Sequence, residues 1–136
     1  MSKLSVPDAL IHVMVTMAAA DRDMTDAELK RIGAVVQNLP AFAGFDRERL
    51  VSVAEACSER LTQGDGLDDV LDLVAESLPA RMHDTAYALA VEVAAADLQV
   101  EQEELRLLQI IRDRLDLDSL TVAAIERGAR ARFRKP

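Results

Sequence analysis

The sequence predicts an all-α protein that folds as a single bundle of about seven helices. Its 136 residues are rich in Ala, Leu and Glu and include five Gly and four Pro, a composition that favours helix. Apolar residues recur at the three- and four-residue spacing of a helix, and no stretch alternates with the period of two that is typical of a strand. A third observation, an internal repeat, indicates how the helices are arranged.

The repeat relates residues 13–39 to residues 89–115, which align without a gap at an offset of 76 positions. The tetrapeptide Ala-Ala-Ala-Asp occurs at 18–21 and again at 94–97. The matching positions are Val15, Asp21, Glu28, Leu29 and Leu39 in the first copy, and Val91, Asp97, Glu104, Leu105 and Leu115 in the second. This internal duplication predicts two related helix pairs that pack about a rough two-fold axis.

We expect one domain over residues 1–136, because this length supports a single hydrophobic core. The repeat halves within it run over about 8–63 and 84–133. Aromatic residues make up only 3% of the chain, so the predicted core is aliphatic. Short loops predict that consecutive helices are spatial neighbours.

The first helix is predicted to begin near Pro7, because proline suits the first turn of a helix, and to end near Ala20. It is apolar on almost every side. Its thin polar stripe consists of Asp8, His12 and Thr16. A helix this apolar is expected to lie at the centre of the fold.

The second and third helices each begin at a residue that can cap a helix. Thr25 and Glu28 form a capping box, in which each side chain bonds to the backbone of the other residue. Pro40 follows the end of the second helix. Asp46 is the predicted cap of the third helix, which runs to about Thr62.

The remaining four helices are separated by clear breakers. Gly64 and Gly66 end the third helix region, and Pro79 precedes the fifth helix. The fifth and sixth helices repeat the first and second. The predicted bounds are Leu67–Ser77, Ala80–Ala96, Glu101–Leu115 and, from Asp118 or Ser119, onward to Arg132.

The distribution of charge bears on the partners that the protein can bind. The net charge is −8, and the five basic residues after Glu126 leave the rest of the chain at about −13. A body this acidic disfavours nucleic-acid binding, which needs clustered cations, and is compatible with binding cations. The basic end is either a solvated tail or a docking segment for an acidic partner or an anionic lipid surface.

The single cysteine and the short apolar runs bear on the cellular compartment. Cys57 cannot form a disulfide within the chain, and it lies on the apolar face of its helix without an evident histidine partner. No apolar run reaches membrane-spanning length, and the first residues are too short and polar for a signal peptide. We therefore expect a cytoplasmic protein without a transmembrane segment.

The loop after the first helix of each copy is acidic. An Asp ends the helix and a Glu follows seven residues later. If the helix pairs pack symmetrically, these carboxylates converge, and carboxylate oxygens are the ligands that Ca²⁺ and Mg²⁺ prefer. The alternative is that the same residues only cap helices or form turns. The candidate metal ligands are Asp21, Asp23, Glu28, Asp97, Glu101 and Glu104.

Residues 18–29 and 94–105 resemble the duplicated motif of the TerB-like tellurite-resistance family. They read Ala-Ala-Ala-Asp-Arg-Asp-Met-Thr-Asp-Ala-Glu-Leu and Ala-Ala-Ala-Asp-Leu-Gln-Val-Glu-Gln-Glu-Glu-Leu. The family pattern is an alanine-rich helix, Asp-Gly, a hydrophobic residue two positions on, and then a Glu and an aliphatic residue. The resemblance covers about residues 8–116. The glycine of the pattern is replaced by Arg22 in one copy and Leu98 in the other.

This resemblance implies a compact bundle of about seven helices with a metal-ion site at the acidic loops. It also implies a role in bacterial stress or tellurite response, without a catalytic activity demonstrated for the domain in general. Arg22 would neutralise part of the acidic cluster. The second copy is therefore the favoured half of a cation site.

Three other polar residues lie outside the acidic loops. His12 lies on the polar stripe of the first helix, and His83 is expected to be exposed near a helix start. Glu92 is the only charge between Asp84 and Asp97. Glu92 either forms a narrow wet stripe with Asp84 and Ala88, or is a partly buried carboxylate that faces the other repeat.

Three functional hypotheses follow. The first is a non-enzymatic, cytoplasmic, TerB-like domain that binds a divalent cation or a partner protein in a stress response. The second is an interaction module without metal, in which the duplicated bundle presents an apolar groove to another protein or to a second copy in a homodimer. The third, an enzyme built on buried carboxylates, ranks last because no second catalytic group accompanies them.

Overall fold

The described residues, 3–20, 24–96 and 102–136, form α-helices joined by short turns and contain no strand in the computed structural model of the chain. This confirms the all-α prediction. The helices are α1 (Val6–Ala18), α2 (Asp26–Asn38), α3 (Leu50–Leu61), α4 (Leu67–Ser77), α5 (His83–Ala95), α6 (Gln102–Arg114) and α7 (Ser119–Arg132). Short 3-10 turns lie at Pro40–Phe42, Arg47–Arg49 and Ala80–Met82.

Local capping explains where the first two helices begin. The Ser5 hydroxyl accepts a hydrogen bond from the backbone N–H of Asp8, and Pro7 occupies the first turn of α1. At α2, the Thr25 hydroxyl accepts from the Glu28 N–H at 3.1 Å, and Glu28 Oε1 accepts from the Thr25 N–H at 2.9 Å. The predicted capping box is therefore confirmed.

The structure corrects the predicted helix ends by up to one turn. The first helix ends at Ala18 instead of Ala20. The third and fifth helices begin later than predicted, at Leu50 and His83, because a 3-10 turn precedes each of them. Tighter 3-10 turns are common at helix ends, and sequence patterns do not separate them from α-helix.

Helix α1 lies at the centre of the fold, as its apolar sequence predicted. Every residue from Ala9 to Ala18 is buried, and α1 packs against α3, α4 and α5. Helix α5 is the second hub and packs against α1, α6 and α7. The core is mainly aliphatic, with Phe42 and Tyr87 as its buried aromatic residues among those described.

The polar stripe of α1 is covered by α3. His12 and Thr16 are 1% and 3% exposed. The Thr16 hydroxyl lies 3.7 Å from the Cys57 thiol, and Arg49 forms an ion pair with the Asp8 carboxylate at 3.0 Å. Packing against α3 thus takes these polar groups out of water and satisfies most of them locally.

Candidate functional site

Four of the six predicted metal ligands lie outside the described residues. These are Asp21, Asp23, Asp97 and Glu101. The prediction of a metal site at the acidic loops is therefore located in the structure only through Glu28 and Glu104. Within residues 3–20, 24–96 and 102–136, no three histidine, cysteine, aspartate or glutamate residues form a group that could hold a metal ion.

Glu28 and Glu104 occupy the same position in the first turns of α2 and α6. Each is the third residue of its helix, and they are 7% and 5% exposed. Glu28 Oε1 accepts hydrogen bonds from both the N–H and the hydroxyl of Thr25. This capping role agrees with the alternative interpretation, in which the acids only cap helices or form turns. Both carboxylates are nevertheless buried, at the first turns of α2 and α6.

His12 is a buried structural residue. Its Nδ1 lies 2.8 Å from the carbonyl oxygen of Asp8, and its Nε2 makes no hydrogen bond to the described atoms. Burial, with a smaller contribution from Arg60, lowers the pKa of His12 below its ordinary value, while Asp8 opposes this. The ring is therefore neutral in the folded protein near pH 7.

The buried imidazole predicts a loss of stability at mildly acidic pH. An unfolded histidine binds a proton near pH 6.5, whereas folded His12 does not until a lower pH. The free energy of unfolding should therefore fall as pH decreases below about 6.5, by at most about 1.4 kcal/mol per pH unit from this residue.

Urea unfolding at pH 7 and pH 5 would measure this dependence. Other groups also titrate in this interval, so the informative quantity is the difference between the wild type and His12→Leu. The variant should lose less free energy of unfolding than the wild type between the two pH values. An identical pH dependence in both proteins would contradict a neutral buried His12.

The contacts of His83 and Cys57 also indicate structural roles. His83 was expected to be exposed, but it is half-buried, with its ring nitrogens 3.3 Å and 3.2 Å from the carbonyl oxygens of Leu115 and Leu78. The prediction was wrong because the end of α6 lies over the start of α5. Burial raises the pKa of the Cys57 thiol to about 11, so it stays protonated and is unsuited to act as a nucleophile.

The stripe on α5 is accessible, in contrast to that on α1. Asp84 is exposed, and Ala88 and Glu92 are half-buried. Glu92 forms an ion pair with Arg132 near the end of α7. Asp84 thus fits the wet stripe, whereas Glu92 matches the second interpretation, since its side chain is 21% exposed and lines a groove with residues of α2.

An open groove of about 650 Å³ lies between α2, α5 and the end of α7. We call it the α2–α5–α7 groove. The hypothesis of an interaction module expected an apolar groove but did not say where it would lie. The sequence feature that could have located this groove is the row of small and polar side chains on the otherwise apolar α5. Residues that line it include Arg31, Ala34 and Val35 from α2 and Thr85, Ala88 and Glu92 from α5.

The helices and their two hubs define the class of this protein as an all-α bundle. The family model described as tellurite resistance protein TerB matches residues 7–127. Because this match covers most of the chain, the protein belongs to the TerB family, as the duplicated motif predicted. Searches of the curated proteins and of the solved structures found no significant match.

Among the described residues, no helix is both long enough and apolar enough to cross a bilayer.

Proposed function

We propose that this TerB-family protein binds a divalent cation in a bacterial tellurite or related stress response, as a non-enzymatic domain in the cytoplasm. The TerB family is generally non-enzymatic. The observation that carries the proposal is the equivalent burial of Glu28 and Glu104 at the first turns of α2 and α6. Each is preceded in the sequence by two of the other candidate ligands.

The chemistry of the acidic segments supports a hard cation. Carboxylate oxygens prefer Ca²⁺ or Mg²⁺. Acids that come together and stay ionised repel one another unless a cation or a basic group neutralises them. The second copy has no basic residue between Asp97 and Glu104, whereas Arg22 follows Asp21 in the first. The second copy is therefore the stronger candidate.

A thermal titration tests cation binding. Chelator-treated protein should melt at a higher temperature when Ca²⁺ or Mg²⁺ is added, because a ligand that binds only the folded state stabilises it. A concentration 100-fold above the dissociation constant would add about 2.7 kcal/mol. Mn²⁺ and Zn²⁺ titrated in parallel establish the selectivity.

Variants localise the effect. The double variant Asp97→Asn, Glu104→Gln should lose the metal-dependent shift, whereas Asp65→Asn, Glu76→Gln, which changes the net charge equally at exposed positions, should keep it. No shift at millimolar metal would overturn the proposal. A shift retained by the first variant would place the cation elsewhere.

A second candidate function is a protein-interaction module. The α2–α5–α7 groove supports it, since an open groove with small side chains on its floor is a surface that a helix can occupy. The helix packing also supports the proposed internal repeat: α1 packs against α3 as α5 packs against α7, and α1 contacts α2 as α5 contacts α6.

A further inference from the structure

Leu120 is the most exposed large apolar side chain among the residues that the structure describes. It is 81% exposed, compared with 54% for Leu105 and 50% for Val51. A single exposed leucine is common on protein surfaces. Its surroundings therefore decide whether it belongs to a binding surface.

Leu120 borders an open groove of about 440 Å³ between α5 and the start of α7, which we call the Leu120 groove. The other lining residues are Asp84, Thr85 and Ala88 from α5 and Thr121, Ala124 and Ile125 from α7. Apart from the Asp84 carboxylate and the two threonine hydroxyls, this lining is apolar. A leucine that projects into water thus lies next to a groove that can receive an apolar side chain.

The exposed face of α7 continues this surface along the helix. Helix α7 packs against α5, and its buried residues include Val122 and Ala129. Other positions of α7 form an exposed face, because they recur at spacings of four, three and four residues. They are Leu120, Ala124, Arg127 and Ala131. Alanine at two of these positions permits the close approach of a second helix, since the distance between helix axes depends on the side chains at the contact.

Two opposite charges on this surface have no ionic partner within the part of the chain that the structure describes. Asp84 and Arg127 form no ion pair there, whereas the neighbouring Arg132 is paired with Glu92. Asp84 lines the Leu120 groove, and Arg127 lies two helical turns beyond Leu120 on α7. The acid and the base are therefore separated along one face of the molecule.

We propose that two copies of this chain form a dimer in which their α7 helices pack antiparallel about a two-fold axis. With the axis midway between Ala124 and Arg127, Leu120 of each copy faces Ala131 of the other, and Arg127 faces Ala124. Asp84 lines the groove beside Ala124, so it meets Arg127 of the second copy. Each of these contacts occurs twice, as two-fold symmetry requires.

Charge complementarity selects a second copy as the occupant of this surface. A uniformly acidic partner would be repelled by Asp84 and a uniformly basic one by Arg127, whereas a second copy in reverse orientation satisfies both charges. The antiparallel arrangement also places Asp118, the cap of one α7, near the basic end of the other. The macrodipoles of the two helices are then opposed, which is favourable.

The size of the surface sets the expected strength of the dimer. Helix α7 has 14 residues and is therefore about 21 Å long. A contact of this length is small for a protein interface, so we expect a dissociation constant on the order of 100 μM. The net charge of −8 on each copy does not prevent association at physiological salt, where charges more than about 8 Å apart are largely screened.

Sedimentation equilibrium of the full chain tests the dimer. In the presence of a chelator, the mean mass should rise from one copy towards two between about 10 μM and 1 mM protein. Leu120→Glu should weaken the association about tenfold or more. Val51→Glu places the same charge at an exposed apolar position on α3 and should leave it within about twofold. Circular dichroism checks that both variants keep their helix content.

A charge exchange tests the antiparallel pairing. Asp84→Lys alone brings two bases together in the dimer, and Arg127→Glu alone brings two acids together, so each variant should be monomeric at concentrations where the wild type dimerises. An equimolar mixture of the two variants should dimerise, because both contacts between unlike copies then join opposite charges. In a mixture of ¹³C-labelled and unlabelled wild type, isotope-filtered nuclear Overhauser spectra should connect the methyl groups of Leu120 and Ala131.

Three outcomes would overturn the inference. A chain that stays monomeric at about 1 mM associates with a free energy weaker than about −4 kcal/mol and has no such dimer. A dimer that Leu120→Glu leaves intact uses another surface. A mixture of the charge variants that stays monomeric contradicts the pairing of Asp84 with Arg127. Because the chelator is present throughout, these outcomes are independent of cation binding, and a failure of cation binding leaves the dimer standing.

Discussion

Gly66→Ala should lower the free energy of unfolding by about 3 kcal/mol, because a side chain there meets both backbone strain and a steric clash. Gly66 has a φ of +48° and a ψ of −104°, a conformation that residues with a Cβ atom rarely adopt. A Cβ atom at this position would lie 2.6 Å from the carbonyl oxygen of Leu61. That oxygen belongs to the backbone at the end of α3 and cannot move aside without disturbing the helix.

Urea unfolding followed by circular dichroism measures this loss, and Gly128→Ala is the matched control. Gly128 lies in α7 at an exposed position where a Cβ atom meets nothing within 4 Å. Alanine there should raise the free energy of unfolding by about 0.5 to 1 kcal/mol. Wild-type stability of Gly66→Ala would show that this turn does not constrain how α4 packs against α1 and α3.

Tyr87→Ala should cost about 4 kcal/mol, because it removes a large side chain from the interior of the bundle. Tyr87 is 0% exposed, and its ring belongs to the main hydrophobic core. Its hydroxyl donates a hydrogen bond of 2.6 Å to Glu126 Oε2 and so joins α5 to α7. These two helices also form walls of the α2–α5–α7 groove.

Tyr87→Phe separates the hydrogen bond from the packing. It should cost about 1 kcal/mol, since the ring remains and Glu126 is partly accessible to water. Burial, reinforced by the hydrogen bond and the charge of Glu126, raises the pKa of the Tyr87 hydroxyl. Tyr87 is the only tyrosine, so its absorbance in alkali reports on this group alone. Ionisation at the ordinary pH of an exposed tyrosine would contradict the buried contact.

The sequence allowed the residues of the candidate site to be proposed, but it did not give their positions relative to one another. The offset of 76 residues matched Glu28 with Glu104, and both are buried at the same helix position. The capping box could be predicted from the sequence, because it joins Thr25 and Glu28, which are three residues apart. The burial of His83 could not be predicted from the sequence, because it faces the carbonyl oxygen of Leu115, which is 32 residues away in the chain.

The sequence by itself determined the helical class, the breaks between the helices, the central place of α1 and the TerB family. The first three depend on composition, periodicity and caps, which act between near neighbours in the chain. The family was indicated by the resemblance of residues 18–29 and 94–105 to its motif. Only the tertiary structure decided that α4 packs against α1, α3 and α6 while the α2–α5–α7 groove stays open. That difference arises because α4 contacts three helices that are distant in sequence, whereas no described helix covers the outer face of Thr85 and Ala88 on α5.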